Sequence, residues 1–581
     1  MKQSIYNIFN KNSEMREKKV IIWGSGSGYY RWKDKIDFHA VAIIDNNKKL
    51  WGTRIDNIPI LSPEILEKVE KNNFVVFILS FFYEEIKQQV ISYGFEDTHI
   101  YSFKDLERTI FIQEKKKRQE GFQNENQLSL QSYIENLEYD FKDIIYKEVH
   151  LLPVVVPFFA LITNYLFLKD SNSNLFPVPK EKEYRLNGNG SILVSFVWHE
   201  KRRPGHHKLI CETISEIPKN MITEIKPISV YDDENEHELV SFSNKSVSLC
   251  NKDLILLIKG RIEDKKYCLL ETEIDWFLDF VQYFINLIDQ VYEFFKNKHY
   301  KVFVSGFANN SEENILVQVA KNLGIMTYGL QHGTFGEKHE FNKVPFSHVY
   351  KYPTVNELLL WGEYPKSIVK EIQVDKSKCS VIGNPRYNYT TEERRLIKQK
   401  RERFIRNTKF LVCFTGPGER EYTINQDLLS LADNIASMLK LKYIVKMHPE
   451  NKVQGKEFYY IKENCECFIT DNRDIVSIFE EVDFIITTSS TIIHEAVFQY
   501  IPTFVYDTHP AVKSICGTLP TTFKTSSQLE LMCIKCKDNN YFNNILDEYE
   551  LHGNLFFKTY KTNRPTMKYK EKILKTILNV E

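Results

Sequence analysis

At 581 residues the chain is too long for one hydrophobic core, and the length predicts three or four domains. Hydrophobic residues make up 43% of it, which excludes a disordered chain. Lys+Arg and Asp+Glu both number 77, so no overall field recruits nucleic acid, and any anion binding must be local.

The N-terminal stretch MKQSIYNIFNKNSEMREKK is polar and charged, and the ten cysteines are scattered, so a cytoplasmic chain with free thiols is expected. From residue 19 strands and helices alternate. KKVIIWGSGSGYY reads as strand, glycine-rich turn and helix. FHAVAIID is a second strand ending in Asp45, NNFVVFILS a third, YEEIKQQVISYG a glycine-ended helix and HIYSF a last strand. Residues 1–105 are thus expected to form a small Rossmann-like domain. Its loop, Gly24-Ser-Gly26-Ser-Gly28, fits G-x-G-x-G rather than the dinucleotide fingerprint G-x-G-x-x-G. Gly24, Gly26 and Gly28 could bring backbone N–H groups to an anion, with Asp45 where a ribose-binding acid would stand. A tight strand–helix turn would use the same glycines. This block, with IIDNN and WGTRIDNIPILSPEIL, resembles the small Rossmann-like domain found beside sugar-modifying modules of bacterial surface-polysaccharide proteins.

Residues 106–189 read as a charged helical connector. It carries the amphipathic stretch LQSYIENLEYDFKDIIYKEV and then Leu151–Leu168, eighteen residues without a charge. That run is at the lower limit for a membrane span and contains Pro153, Pro157 and Asn164, so burial is favoured over membrane contact. DSNSNLFPVPKEKEYRLNGNG reads as the loop that ends the connector.

Two further alternating systems follow, at 190–395 and 396–581. In the first, SILVSFVWH, DLILLIKG, KVFVSG, IMTYGLQHG, ELLLWG and CSVIGNPRYN read as strands with their exit loops, and WFLDFVQYFINLIDQVYEFFKN as a long helix. In the second, KFLVCFTGPG, YIVKMHP, DFIITTSST and PTFVYD read as strands, with helices between. The fold class expected is α/β: two facing Rossmann-like domains of GT-B type, preceded by the small domain and the helical connector. Ligands of such folds bind in the crevice outside the carboxyl ends of the strands.

Four strand-end loops carry unusual polar residues. The first holds Gln331, His332 and Gly333. The second is Lys446-Met-His448-Pro449, and the third Thr487-Thr-Ser489-Ser490-Thr491, leading into a helix with Glu495. The fourth contains Gly416 and Gly418. The hydroxyl run suits a phosphate at a helix start, although one hydroxyl of it would serve as a plain N-cap. His332 can take a proton from an acceptor hydroxyl, and a satisfied core histidine is the alternative for it and for His448. Arg202, Arg203, His206 and His207 lie in a basic loop that could hold an anionic acceptor or simply be solvated. No metal is expected. Cys465/Cys467 and Cys533/Cys536 lack the paired knuckles of a zinc site, and no convincing acid pair stands at a strand end.

QHG, then HP, then SST, in that order, resemble the motif series of bacterial capsule and wall-polymer transferases of GT-B architecture. The series is similar to that of the CDP-glycerol glycerophosphotransferases, while capsule Kdo transferases and sialyltransferases share the HP and SS elements. The resemblance covers roughly 300–510, and ELLLWGEYPK and VIGNPR belong to it. It implies that His332 acts as general base and that Gln331 and His448 belong to the catalytic set. It further implies that Gly416, Gly418, Lys446, His448, Ser489, Ser490, Thr491 and Glu495 hold a CMP-, CDP- or UDP-linked donor. The partners implied are that donor and a glycan acceptor, with no further cofactor. Peripheral association with the inner membrane or a capsule assembly machinery stays open. QHGTF in place of a WHGTP-like loop favours a sugar over glycerol phosphate, and the two-acid motif of sialyltransferases has no counterpart. A UDP-GlcNAc 2-epimerase-like enzyme and a non-catalytic nucleotide-sugar-binding subunit are the alternative readings.

Overall fold

The computed structural model describes residues 3–8, 17–34, 36–80, 83–102, 105, 130–159, 182–196, 204–227, 238–242, 251–263, 267, 269, 271–306, 310–333, 352, 354–371, 378–401, 403–414, 419–447, 464–469, 475–488, 490–507 and 519–578. Two compact units divide the chain, Met1–Gln127 and Leu128–Glu581.

The first unit is a six-stranded sheet. Its parallel strands Lys19–Trp23, Ala40–Ile44, Ile58–Leu61, Phe74–Ile78 and Ile100–Ser102 stand in the order 3-2-1-4-5 by position in the chain. Arg54–Ile55 adds an antiparallel edge to Ile58–Leu61. The central strands are continuous apolar runs because both of their faces are covered, as parallel sheets require.

The second unit holds two sheets. The first has eight strands, in the order Glu238–Phe242, Lys182–Asn187, Ile222–Pro227, Ile192–Ser195, Val302–Ser305, Met326–Leu330, Glu357–Leu360, Cys379–Val381. From Ile222–Pro227 to Cys379–Val381 every pairing is parallel, and the two outer strands are antiparallel. The second has six parallel strands, Lys409–Cys413, Lys442–Lys446, Cys465–Ile469, Ile485–Thr487, Thr503–Tyr506 and Thr522–Phe523, in the doubly wound order 3-2-1-4-5-6. The α/β class with two Rossmann-like halves after a small Rossmann-like unit is therefore the architecture of this chain.

Two segments differ from the sequence reading. Lys182–Asn187, which reads as loop among its Asn, Gly and Pro neighbours, is a strand pairing on both sides. Asp253–Gly260, which reads as a strand, lies in the helix Lys252–Ile262. There Ile258 and Ile262 are buried while Leu256 and Leu257 face solvent, so tertiary packing of one helical stripe overrides the apolar run.

The connector is built into the first sheet's core. Tyr133, Leu137 and Phe141 of the helix Leu130–Phe141 pack with Phe277 and Phe284 of Glu271–Lys296. A hairpin follows, Ile145–Tyr146 against Val149–His150, its turn made by Lys147 and Glu148 at φ 46° and 62°. Leu151, Val154, Val155, Val156, Phe158 and Phe159, all from the first half of the uncharged run, are buried in the same core. Residues 160–168 lie outside the described ones, and no described helix is long and apolar enough to cross a membrane.

The last helix, Pro565–Leu578, returns to the first half. Its Tyr569, Ile573 and Ile577 pack with Val194, Val304, Tyr328 and Leu359 on the face opposite the long helix. Tyr569 donates to Gly383 O at 3.0 Å, and Tyr328 Oη and Thr576 Oγ1 share a hydrogen bond of 2.7 Å.

Candidate active site

Gln331 answers for its place by its bonds. Its side chain is 1% exposed. The amide oxygen accepts from the Trp361 backbone N–H at 2.8 Å, and the amide nitrogen donates to Gly333 O at 2.8 Å. Its own N–H donates to Leu359 O at 3.0 Å. One side chain thus ties the exit loop of Met326–Leu330 to the next strand, Glu357–Leu360, and fixes the backbone on both sides of His332. The His332 ring meets the His206 ring edge-on, with centroids 5.8 Å apart. His206 stands in the first turn of Pro204–Ile214, where proline suits the first helical position. His207, beside it, packs its ring on Phe196 at 4.9 Å and places Nδ1 3.6 Å from Cys211 Sγ.

In the second half, Ile485–Thr487 and Lys409–Cys413 are the neighbours between which the strand order reverses, the usual ligand position of such a sheet. Thr487 Oγ1 donates to Cys413 O at 3.2 Å, and Thr488 Oγ1 to Tyr506 O at 3.0 Å. These two hydroxyls hold the strand ends together. Ser490 Oγ accepts from Ile492 N–H at 3.4 Å, while Thr491, the residue before the helix Ile492–Phe498, makes no side-chain cap. The Cys413 thiol is pushed up by burial; the Lys446 charge opposes this and the Glu495 charge adds to it.

Glu495, one turn into that helix, is buried and paired across the halves. Arg386 Nη1 donates to its Oε1 at 3.0 Å. Arg386 belongs to the loop Gly383-Asn-Pro-Arg386, which leaves the last strand of the first sheet. Gly383 takes φ +104°, and a Cβ there would meet Lys558 O at 2.6 Å, so only glycine fits this turn. Asn384 Oδ1 accepts from Arg386 N–H at 3.1 Å. A Cβ on Gly205 would lie 3.8 Å from Arg386 Nη1, which puts the guanidinium against the start of the His206 helix. A path of neighbours therefore runs from His332 through His206, Gly205, Arg386 and Glu495 to the Thr491 turn. An aromatic cluster of Trp361, Tyr387, Phe498, Phe556 and Phe557, with Leu209, packs beside it.

In the first unit Gly24 takes φ +111°, and a Cβ would come within 3.1 Å of Leu79 O. Gly26 precedes the helix Ser27–Trp32, which includes Gly28. Asp45 accepts from the Ser25 N–H at 3.0 Å, from the Ser25 hydroxyl and from Asn47 N–H at 2.8 Å. Burial alone would raise its carboxyl, but these donors outweigh it and hold it below the usual range. The acid thus clasps the glycine loop.

Arg202, Arg203, Gly416, Gly418, His448 and Ser489 lie outside the described residues. Among the described residues no group of three or more His, Cys, Asp or Glu is placed to hold a metal ion. Sequence reasoning missed Arg386, although it quoted the VIGNPR run that contains it. It also missed the pair formed by the buried His494 and the half-buried His552, with Nδ1 and Nε2 3.1 Å apart.

Two doubly wound sheets in one unit, joined at their strand ends by a buried ion pair, define a chain of GT-B-type architecture. Residues 16–101 match the family described as C2185-like, N-terminal. No curated protein matches the chain. Among solved structures, UDP-N-acetylglucosamine 2-epimerase from Rickettsia bellii is similar over 68% of this chain and 97% of its own, at 13% identity and a TM-score of 0.38. UDP-GlcNAc 2-epimerase from Methanocaldococcus jannaschii, in complex with UDP-GlcNAc and UDP, is similar over 66% and 98%, at 12% identity and 0.35. The wall teichoic acid polymerase TagF, soaked with CDPG, is similar over 68% and 90%, at 10% identity and 0.37.

Proposed function

We propose that the chain is a transferase that moves a sugar, or a polyol phosphate, from a nucleotide-activated donor to a glycan hydroxyl, in building a capsule or other surface polysaccharide. The observation that carries this reading is the continuous path from His332 on one half to the Thr491 turn on the other. A transfer reaction needs a proton acceptor on one side of a cleft and a stabiliser of the leaving phosphate on the other.

In this reading the acceptor O–H gives its proton to the His332 imidazole as its oxygen bonds the transferred group. The bond from that group to the donor phosphate breaks, and its electron pair stays on the phosphate oxygen. Ser490, Thr491 and Lys446, with Ser489, His448, Gly416 and Gly418, take up that charge. No metal is called on, because hydroxyls, backbone N–H groups and a lysine supply the positive field. Gln331 keeps His332 in place, and His206, His207, Arg202 and Arg203 face the acceptor.

The test is thermal denaturation of the full chain with CMP, CDP, UDP and GDP, followed by turnover with and without glycan. A ligand at 100 times its Kd adds about 2.7 kcal/mol of stability, enough to move the melting temperature visibly. The expected result is stabilisation by CMP or CDP and turnover only with an acceptor. Turnover of donor alone would point to an epimerase or hydrolase, and no shift with any nucleotide would contradict the reading.

A further inference from the structure

Arg386 has a task that the reading above leaves open. We propose that it is a positioning residue that couples donor binding to the seating of the two halves, its guanidinium exchanging the Glu495 carboxylate for the donor diphosphate. This rests on the transferase reading, since it names the group that meets that donor.

Two observations and the chemistry of the guanidinium carry it. The Arg386–Glu495 bridge joins the exit loop of the first sheet's last strand to the helix that follows the Thr487–Thr491 run, so it spans the halves where their strand ends meet. Both partners are largely shielded, with side chains 18% and 6% exposed, and a charge there is poorly screened. A diphosphate offers a guanidinium more negative charge and more acceptor oxygens than a carboxylate does, and two oxygens of one phosphate can take both arms of the fork.

The loop also holds donors in surplus. Asn384 is 1% exposed, yet its amide nitrogen has no hydrogen-bond partner among the described residues, and neither has the buried Trp361 indole N–H. Buried donors of this kind call for an explanation, and an incoming polar ligand supplies one. Gly383 holds the loop in a turn that only glycine accepts, so Arg386 is presented from a rigid base. Because Arg386 lies against Gly205, beside the His206 that touches His332, a change of partner at Arg386 is felt at the imidazole.

The alternative is a plain structural bridge, and the two differ in sign. The probe is inorganic pyrophosphate, which has no ribose and so leaves aside any contact of Glu495 with a sugar. Calorimetric titration of the full chain should show Arg386→Gln weakening pyrophosphate binding roughly ten-fold or more, and Glu495→Gln tightening it about three-fold. The tightening should vanish when Arg386→Gln is also present, because the two residues act through one contact. Arg386→Lys, which keeps the charge and loses the fork, should fall between, and it serves if Arg386→Gln does not fold. Effects of the same sign in the two single variants, a tightening that survives in the double variant, or no binding of pyrophosphate by the native chain would overturn the proposal. The transferase reading fails separately. If pyrophosphate follows the predicted pattern while no nucleotide binds and nothing is transferred, Arg386 is an anion switch in a protein of another function.

Discussion

His494, which is buried, and His552, which is half-buried, form a titratable pair that should make this fold sensitive to acid. The His494 ring lies on Phe556 with centroids 3.6 Å apart, and Phe556 in turn packs on Tyr364 of the first half. Burial first and the neighbouring His552 second hold His494 well below the ordinary histidine value. Burial and then the Arg394 charge lower His552 to about 4. An imidazole whose folded value is depressed binds protons more readily in the unfolded chain, so acid favours unfolding. Stability is full above the unfolded value of about 6.5 and declines as pH falls toward 4. Denaturation midpoints measured across that window should fall with pH, and His552→Phe should flatten the slope; an unchanged slope in that variant would assign the acid sensitivity elsewhere. Residue-scale chemistry was half legible in the sequence. Gln331 and His332 stand out because neither belongs in a plain strand end, yet only the coordinates show the glutamine bonding to three backbone groups. Arg386 and Glu495 are separated by 109 residues, and nothing local in either segment announces the other.

Several elements whose apolar run ends at or near a glycine were legible. Met326–Leu330, Val302–Ser305 and Ser311–Asn322 with Gly324 at φ +80° stand where the pattern puts them. Elements whose burial depends on distant partners were not. Lys182–Asn187 is an outer antiparallel strand, and Lys252–Ile262 buries one stripe of a run that reads as a strand. The return of Pro565–Leu578 to the first sheet had no sequence signal either, because an amphipathic helix does not say which sheet it covers. That helix contributes Tyr569, Ile573 and Ile577 to the first half's core. At about 1.5–3 kcal/mol for each buried side chain, its loss removes roughly 5–9 kcal/mol, comparable with a whole domain's net stability. A chain ending at Asn563 should therefore lose the first half's packing while the small N-terminal unit persists. Limited proteolysis with mass spectrometry reads this directly: early cleavage within 190–395 is expected, and native-like protection there would show the helix to be dispensable.

At the scale of the molecule, three largely parallel sheets, each with its order reversing next to the first of its parallel strands, repeat one device along the chain. The alternation of strands and helices predicted that device, since a parallel strand requires a crossover, and helices such as Pro204–Ile214, Ser311–Asn322 and Glu419–Leu439 supply crossovers among the described residues. What periodicity could not give is which strand ends share a rim. In the second unit the answer lies in Arg386 meeting Glu495 and in His206 standing between Arg386 and His332. The account's central claim is that His332 moves a proton at that rim and does not hold the donor. Kinetics and nucleotide titration of His332→Ala test it most directly. The account predicts turnover reduced by a factor of about 10²–10⁴ with nucleotide affinity changed by less than about two-fold. Turnover unchanged, or lost only in step with nucleotide binding, would contradict it.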